Sequence, residues 1–533
     1  MEKKLTDYVS KVPFHKFSET LSEQLKELKS NPLLQRMDNV RRELLNDPHR
    51  PIYHYVNPEG NLNDPNGLCY WKGNWHLFYQ AYPPEDPRQH WGHAISQDLI
   101  HWEDLPYAIY PSPEECCFSG STLVEENRVI AIYHGTKAGT MVAISHDPLL
   151  LNWEKLTNQA VIKMQEKDRM LAYEQNGYAV FDPCLWKKGE YYYSLSAGVQ
   201  STGPANEYVA ADFLFKSRDL INWKFLHSFI EDDQFTLVGD DGACPYFWPI
   251  GKKHILLFFS HMSGGQYLLG KYDLEKDKFI SEKHGLFNFG AALPSGVHAP
   301  SACPDGKGGV IVIFNMNPGK ATNGWNQIMT LPRKLELNEK NQLKITPAGN
   351  IESLRKNPLH LETFFVESNK EKIIPNIFSN NIEIELIIDF QDSSLFEIDL
   401  LRNPNKKEYT RVLIYKNMGF NDRFKKTKNY DVGFSKSNHF ESILSLDSSF
   451  SSIAKDVKLR PPENAPFKFT HENILKIRIF IDRSVLEVFV EDTQSAAIRV
   501  YPELIDSKGI SLLAHGNRVK IVSFKTWEMS SIY

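Results

Sequence analysis

Four aspartates in the first half of the chain could supply the carboxyl groups that glycosidic bond cleavage requires. Asp64 lies in a dense polar run over residues 63–67, Asp182 precedes a proline, and Asp240 and Asp241 are adjacent. Such cleavage uses one carboxylate that attacks the sugar carbon and one protonated carboxyl that donates to the leaving oxygen. For Asp64 and Asp182 the alternative is structural, because an aspartate before proline often closes a turn by bonding its own backbone.

Amide, hydroxyl and aromatic residues stand close to these acids in the sequence and suit a sugar pocket. Asn63, Gln80 and Ser119 can exchange hydrogen bonds with sugar hydroxyls, and Gln80 ends an apolar run. Trp91 and Phe118 can stack on the apolar face of a sugar ring. Core packing is the competing interpretation for each aromatic taken singly, so only the cluster predicts substrate binding.

The bulk composition excludes several classes of protein. A formal net charge of −5 over 533 residues, without a long basic run, argues against nucleic-acid and anionic-membrane partners. Neither a secretory signal nor an eighteen-residue apolar run is present, which predicts a cytoplasmic location. The six cysteines lack C-x-x-C spacing, and no metal-binding or phosphate-binding motif occurs. We therefore expect reduced thiols, no metal, no cofactor, and a small sugar or oligosaccharide as the binding partner.

The secondary-structure pattern changes near residue 50. Residues 1–50 are charged and favour a helical extension with one apolar face formed by Leu21, Leu25, Leu28, Leu33 and Leu34. From Tyr53 onwards, short apolar runs alternate with Gly, Pro, Asn and Asp, which indicates many short strands. The chain is therefore predicted to be all-β after a short helical N-terminal extension.

A repeated pattern predicts the architecture of the first large domain. A Ser-x-Asp turn followed by a tryptophan recurs in residues 96–102, 145–153 and 217–223. A strongly apolar strand precedes each of these turns, and two weaker strands of the same kind follow later in the chain, which makes five units. Each unit opens with a small residue or a proline step. Units of 40 to 70 residues with several strands suit the blades of a β-propeller. The prediction is a five-bladed propeller over 51–338, with an irregular pair of β-sandwiches as the alternative.

The propeller prediction explains how the four aspartates could meet. The innermost strands of all blades begin near one end of the axial channel, so the unit openings that carry the acids converge there. Residues 339–358 are polar and predict a linker. Strand-like alternation over 359–533 predicts a C-terminal β-sandwich. The sandwich and the helical extension are candidate surfaces for a homodimer.

With these residues assembled, the chain resembles glycoside hydrolase family 32, the β-fructofuranosidases, invertases and fructanases. The matching motifs follow in the family's order: Asn63-Asp64-Pro65-Asn66-Gly67, Phe78-Tyr79-Gln80, Trp91-Gly92-His93, Phe118-Ser119-Gly120-Ser121 and, near the C-terminus, Ile481-Asp482-Arg483-Ser484. The resemblance implies a five-bladed propeller followed by a sandwich. It also implies hydrolysis of β-fructofuranosidic bonds with retention, through a fructosyl-enzyme on Asp64, and a sugar-binding role for Asp182.

Two departures from the family pattern concern the active site. Phe181 stands where the family has the arginine of Arg-Asp-Pro, and Ala243 stands where it has the acid/base glutamate before Cys-Pro. Three explanations remain open: the acid has moved to Asp241 or Asp240, the alanine was introduced, or the chain is a non-catalytic carbohydrate-binding relative. Asp241 is the predicted acid, Asp240 is predicted to bind substrate, and Glu174 is a further candidate acid. A relocated acid would also allow an unusual, non-fructan glycoside as substrate.

Overall fold

The fold was analysed in a computed structural model that describes residues 9–202, 205–231, 233, 235–416, 442–471 and 473–533. The described chain is mainly β, as the sequence predicts. Its helices are α1 (Leu21–Lys29), α2 (Pro32–Glu43), α3 (Arg169–Asn176) and the short 3-10 helices Leu44–Asn46 and Ile351–Leu354. Among the described residues, none of these helices has the length and apolar character needed to cross a membrane.

The two N-terminal helices dock against the β-structure through buried polar contacts. The Asn31 side chain caps α2 by accepting from the first free backbone N–H groups, and Pro32 takes the first helical position, where no N–H is needed. Gln24 of α1 donates to Asp147 at 2.9 Å, and Arg41 of α2 forms a 2.6 Å ion pair with Asp104. Each helix is thus attached to a different sheet.

Five sheets follow one another along residues 61–347 of the described chain. The first two contain β1 (Asn61–Trp71), β2 (Asn74–Tyr82), β3 (His90–Ser96), β4 (Glu103–Ile109), and β5 (Cys117–Glu125), β6 (Arg128–Gly135), β7 (Gly139–Ser145), β8 (Glu154–Lys155), β9 (Ile162–Lys163). The third contains β10 (Pro183–Lys188), β11 (Tyr191–Thr202), β12 (Glu207–Ser217) and β13 (Lys224–Ser228). The last two contain β14 (Ile230–Glu231), β15 (Ala243–Ile250), β16 (Lys253–Ser260), β17 (Gly264–Asp273), β18 (Lys278–Leu286), and β19 (Val297–Pro304), β20 (Val310–Met316), β21 (Ile328–Met329), β22 (Arg333–Leu337), β23 (Leu343–Pro347).

The inner edge strands of these sheets, β1, β5, β10, β15 and β19, form a closed ring. β1 contacts both β5 and β19, β10 lies between β5 and β15, and β15 contacts β19. Every predicted unit opening lies at or beside the start of one of these inner strands, and every predicted apolar strand is the one that pairs with the inner strand of its sheet. The ring therefore brings together residues that are far apart in the sequence.

The repeated Ser-x-Asp and Trp pattern forms three related turns, in each of which a leucine with positive φ stands three residues before the tryptophan. In the first sheet, Asp98 accepts the backbone N–H groups of residues 100 and 101, Leu99 has a positive φ of 69°, and Trp102 donates to the Leu99 carbonyl at 3.0 Å. The equivalent leucines, Leu150 and Leu220, also have positive φ and accept from the following tryptophan. An aspartate that satisfies several backbone donors stabilises this otherwise unfavourable leucine conformation.

A two-sheet β-sandwich follows. One sheet contains β24 (Arg355–Leu361), β25 (Phe364–Val366), β27 (Asn381–Asp389), β32 (Ile474–Asp482), β33 (Val485–Val490), β34 (Gln494–Arg499) and β36 (Val519–Met529). The other contains β26 (Lys372–Ile374), β28 (Leu395–Arg402), β29 (Thr410–Tyr415), β30 (Ser442–Asp447), β31 (Glu463–Phe467) and β35 (Gly509–His515). Alternate residues of β27, from Ile382 to Ile388, enter the apolar core between the sheets.

The prediction of a linker over 339–358 is wrong in extent. Leu343–Pro347 is the last strand of the fifth sheet, where Leu343 and Ile345 bury their side chains in the core. Ile351–Leu354 forms a buried 3-10 turn, and Arg355–Leu361 already belongs to the sandwich. In a half-exposed strand only every second residue is apolar, so the overall composition of such a strand is polar and resembles that of a linker.

Candidate active site

Asp64 lies where the inner strands of several sheets converge. The pairing of β1 with β2 shifts register twice, first between Leu62 and Pro65, where Asp64 lies, and again between Asn66 and Cys69. Such bulges change the direction in which a side chain leaves a strand. The Asp64 carboxylate consequently reaches side chains from four different sheets.

Four side chains surround the Asp64 carboxylate. Ser119 donates to Oδ2 at 2.8 Å, and Gln80 donates to the same oxygen at 3.2 Å. Asn315, from the fifth sheet, lies 3.4 Å from Oδ1, and the Cys244 thiol lies 3.7 Å from Oδ2. The predicted residues Gln80 and Ser119 therefore contact Asp64 directly. Asn315 and Cys244 were missed, and Cys244 alone had a signal, in the Cys-Pro pair that opens its unit.

The environment of Asp64 shifts its proton affinity. Burial raises the pKa of Asp64 to about 6, the Ser119 hydrogen bond opposes that rise, and the nearby Asp182 charge adds to it. A pKa of about 6 leaves this carboxylate ionised at neutral pH and more basic than an exposed one. This combination suits a nucleophile that must later leave the sugar.

Asp182 faces Asp64 across Cys244. The Asp182 carboxylate accepts the Cys244 backbone N–H at 3.2 Å and lies 3.6 Å from its thiol. Cys244 has a positive φ of 52°, which is unusual for a side chain larger than glycine. Asp64 and Asp182 are both almost fully buried. The structure therefore brings the predicted acids of the first and third units, Asp64 and Asp182, together around one thiol.

A run of amides connects the nucleophile candidate to its neighbours. Gln80 accepts from Asn63 at 3.0 Å, and Asn63 accepts from Gln327 at 3.0 Å. Asn315 then donates to Gln327 at 2.7 Å, which returns the network to Asp64. Amides can donate and accept, so this network can exchange hydrogen bonds with sugar hydroxyls while it orients Asp64.

The prediction that Trp91 stacks on a sugar is wrong. Trp91 is fully buried, its indole N–H donates to the Phe118 carbonyl at 2.9 Å, and its ring packs against Phe78 and Tyr133. It supports the opening of the second sheet from behind. Phe118 is half-buried beside His134, so an aromatic surface for substrate remains a prediction for Phe118 alone.

No carboxyl occupies the position expected for the acid. Ala243 is buried in a small apolar cluster with Cys244, Phe259 and Ala299. Asp240 is also engaged elsewhere: its carboxylate accepts from the Ser263 hydroxyl at 2.7 Å and from the Leu237 backbone at 3.1 Å. Asp240 therefore closes a loop, which contradicts the predictions that it binds substrate or serves as the acid.

Asp241, the predicted proton donor, is held in its ionised form. It accepts from His261 Nδ1 at 2.6 Å and forms an ion pair with Arg169 of α3. Burial raises the pKa of Asp241, but His261 and Arg169 outweigh it and lower the pKa overall. A carboxylate paired with two cations does not hold a proton near neutrality, so the assignment of Asp241 as the acid is wrong.

Glu174 is likewise placed outside the acid role. It lies on the exposed side of α3, where its carboxylate accepts from the Tyr208 hydroxyl. Arg169, one helical turn earlier, lies with its guanidinium carbon 4.8 Å from the centre of the Phe181 ring. A guanidinium thus stands at the opening of the third sheet although the sequence there has Phe181 in place of arginine.

The described residues contain no group of three or more His, Cys, Asp and Glu side chains suited to a metal ion. None of the six cysteines forms a disulfide, and Cys116 is the one of them that is not fully buried. The side chains around the site are carboxylates, amides, one thiol and the nearby His261.

Comparisons with solved structures agree with this architecture. Fructan 1-exohydrolase IIa from Cichorium intybus superposes with a TM-score of 0.77 over 91% of this chain and 98% of its own, at 19% identity. Sucrose-6-phosphate hydrolase from Lactobacillus gasseri superposes with a TM-score of 0.71 over 96% and 99%, at 20% identity. At these identities the likeness concerns the fold.

Sequence comparison identifies the family. Curated relatives include sucrose-6-phosphate hydrolase of Zymomonas mobilis, 27% identical over 92% of this chain and 94% of the relative. The cell wall β-fructofuranosidase of Pisum sativum is 26% identical over 86% and 90%. The profiles of the N-terminal and C-terminal domains of glycosyl hydrolases family 32 match residues 54–347 and 350–528. The chain therefore belongs to glycosyl hydrolase family 32, and the protein is a glycosidase.

Proposed function

We propose that the protein hydrolyses β-fructofuranosidic bonds in sucrose or fructo-oligosaccharides, with retention and through a covalent fructosyl-enzyme on Asp64. The relatives named sucrose-6-phosphate hydrolase and β-fructofuranosidase support the substrate class. The observation that carries the proposal is the Asp64 carboxylate, almost fully buried and fixed by Ser119, Gln80 and Asn315. Such preorganisation suits a nucleophile.

We further infer that the five sheets are the blades of one propeller that begins near residue 51 and follows a helical N-terminal extension. The ring of inner edge strands supports this arrangement, with the sandwich from about residue 355 as a separate unit. The substrate would then enter at the end of the ring where Asp64 and Asp182 meet.

In the proposed reaction, Asp64 attacks the anomeric carbon and the bond to the leaving oxygen breaks. Asp182, whose carboxylate is fixed by the Cys244 backbone, accepts hydrogen bonds from sugar hydroxyls. The amides of Asn63 and Gln80 and the Ser119 hydroxyl bind further hydroxyls and hold Asp64 in line. Water then releases the sugar from Asp64 with its starting configuration.

The test is release of reducing sugar from sucrose, sucrose 6-phosphate, 1-kestose and levan by the wild type and by Asp64→Asn. The variant keeps the side-chain shape but removes the nucleophilic charge, so we expect kcat/KM to fall by about 10³-fold or more. Asp98→Asn, in the repeated turn of the first sheet, is the matched control and should retain wild-type turnover. Equal rates for both variants would contradict the nucleophile assignment.

A second candidate function is binding of a fructoside without cleavage. Ala243 favours it, because the residue at the expected acid position has no proton to give. This alternative predicts measurable affinity for sucrose or 1-kestose by calorimetry together with no sugar release by the wild type. Turnover that depends on Asp64 would exclude it.

A further inference from the structure

Three charged residues beside the site have no role in the proposed function as described so far. Arg169 and His261 both bind the Asp241 carboxylate. His261 directly follows β16, and Asp241 precedes β15 by two residues. β15 and β16 form a hairpin in which Ala243 pairs with Phe259. Two residues beyond this pair on each strand, Asp241 stands opposite His261. His261 therefore lies next to the position from which the carboxyl acid is missing.

The orientation of the His261 ring is fixed. Its Nδ1 donates to Asp241 Oδ2 at 2.6 Å, and its backbone N–H donates to the other carboxylate oxygen at 3.2 Å. The ring packs against Phe259 at 4.9 Å between centroids and meets His298 edge-on at 5.8 Å. These contacts leave Nε2 on the opposite side of the ring, and no side chain in the described parts of the chain bonds to it.

Charge and exposure at His261 differ from those of a structural histidine. Its side chain is 59% exposed, although Asp241 beneath it is only 16% exposed. The hydrogen bond to Asp241 raises the pKa of His261, burial opposes the rise, and the Asp241 and Asp64 charges add to it while Arg169 opposes them. His261 lies close enough to Asp64 for each charge to shift the pKa of the other.

We propose that His261 is the general acid/base of this glycosidase, with Asp241 and Arg169 as positioning residues. The inference rests on the proposed function and supplies the group that Ala243 lacks. An aspartate that bonds one ring nitrogen of a histidine fixes the tautomer and leaves the other nitrogen to transfer a proton. Arg169 keeps Asp241 ionised, so the proton of the pair stays on His261.

The proton balance of both steps closes with these residues. In the first step Asp64 forms an ester with the anomeric carbon, the bond to the leaving oxygen breaks, and that oxygen takes the Nε2 proton of His261. In the second step neutral His261 takes a proton from water, the water oxygen bonds the anomeric carbon, and the ester to Asp64 breaks. The enzyme returns to its starting protonation, and the net reaction is hydrolysis.

The decisive experiment compares two substrates that differ in their need for a proton. Sucrose has an alcohol leaving group that must be protonated, whereas 4-nitrophenyl β-D-fructofuranoside releases a stable phenolate. For His261→Ala we expect kcat/KM on sucrose to fall by about 10²- to 10⁴-fold, with the aryl fructoside within about tenfold of wild type. Retained turnover of the aryl substrate also shows that the variant folds.

His101→Ala is the matched control. His101 bonds Asp98 through Nδ1 at 2.8 Å and through its backbone N–H at 2.8 Å, which is the same pairing on the outer turn of the first sheet. Its side chain is 48% exposed, close to that of His261. This variant should keep wild-type rates on both substrates.

Asp241→Asn tests the positioning role through the pH profile. Loss of the carboxylate charge lowers the pKa of His261, which also faces Arg169, His298 and Asp64. The basic limb of kcat/KM on sucrose should therefore move to lower pH, which a purely structural contact would not cause.

The outcomes separate this inference from the proposed function. Suppose that the wild type cleaves sucrose. If His261→Ala is then as active as the wild type on sucrose, or is equally impaired on both substrates, the assignment of His261 is wrong, and the assignment of Asp64 can still be tested. Absence of turnover by the wild type on every fructoside would overturn the proposed function and this inference together.

Discussion

At the residue scale, the site depends on one buried carboxylate whose contacts come from distant sheets. Cys244 touches both Asp64 and Asp182, and its buried thiol adds no charge between them. A thiol is a weak hydrogen-bond donor, so it stabilises the negative charges of the two aspartates only weakly. Burial of Asp64 beside Asp182 is consequently what raises the pKa of Asp64, and Ser119 limits the rise.

The pH dependence of catalysis should report the ionisation of Asp64. Its pKa of about 6 means that the nucleophilic form is lost as the pH falls through that value, so kcat/KM should show an acid limb near pH 6. Ser119→Ala removes the hydrogen bond that lowers this pKa, and the limb should move to higher pH. The measurement is kcat/KM on sucrose from pH 4.5 to 9, with Ser217→Ala as a control. An unmoved limb in Ser119→Ala would contradict the assignment.

At the element scale, the repeated turn connects strands within a sheet and anchors the N-terminal extension. Asp147, in the turn of the second sheet, accepts the backbone N–H groups of Leu149, Leu151 and Asn152, and also binds Gln24 of α1. Asp219 forms the equivalent turn of the third sheet at the surface. The same motif thus serves a buried junction in one place and an exposed turn in another.

Removal of the buried turn carboxylate should cost more stability than removal of the exposed one. Asp147→Ala leaves several buried donors without partners, so we expect the free energy of unfolding to fall by about 3 kcal/mol. Asp219→Ala exposes its donors to water and should cost about 1 kcal/mol or less. Urea unfolding followed by tryptophan fluorescence measures both. Equal losses would show that α1 docking and burial add nothing to this turn.

At the scale of the whole molecule, the sandwich is attached to the ring of sheets by buried charges. Asp482 of the sandwich accepts the backbone N–H groups of residues 52, 53 and 54, each at 2.8 Å. Glu487 pairs with Arg333 of the fifth sheet at 2.9 Å, and His54 bonds both Asp482 and Glu487. The two units therefore share a polar cluster that neither could satisfy alone.

Stability should depend on pH through His54. Burial lowers the pKa of His54, but its hydrogen bonds to the carboxylates of Asp482 and Glu487 outweigh burial and raise the pKa overall. The stabilisation is therefore complete below about pH 6.5, the pKa of an unfolded histidine, and is lost as the pH rises through the folded value. The urea midpoint of the wild type should fall from pH 6.5 to 9.5.

His54→Asn should remove this part of the pH dependence and lower the midpoint at pH 6.5. His146→Asn, which changes an exposed side chain next to Asp147, is the control and should follow the wild-type curve. Parallel curves for wild type and His54→Asn would mean that the interface histidine does not bind its proton more tightly in the folded chain.

The sequence by itself determined the mainly β character, the strands and the unit openings. Alternation of apolar residues and the order of the motifs are local properties, so Asp64, Gln80 and Ser119 could be selected as partners before any contact was known. The turns with Asp98 and Trp102 were visible for the same reason, because all of their hydrogen bonds join residues within a few positions.

Only the tertiary structure decided which residues around the openings face the site. Trp91 and Asp241 have suitable chemistry. However, Trp91 is buried behind Phe118, and the Asp241 carboxylate is held in its ionised form by Arg169 and His261. Burial and pairing depend on strand register and on contacts between sheets, which residue types and spacing along the chain do not encode. His261 was invisible as a catalytic candidate because its partner lies twenty residues away, and only the β15–β16 hairpin brings the two together.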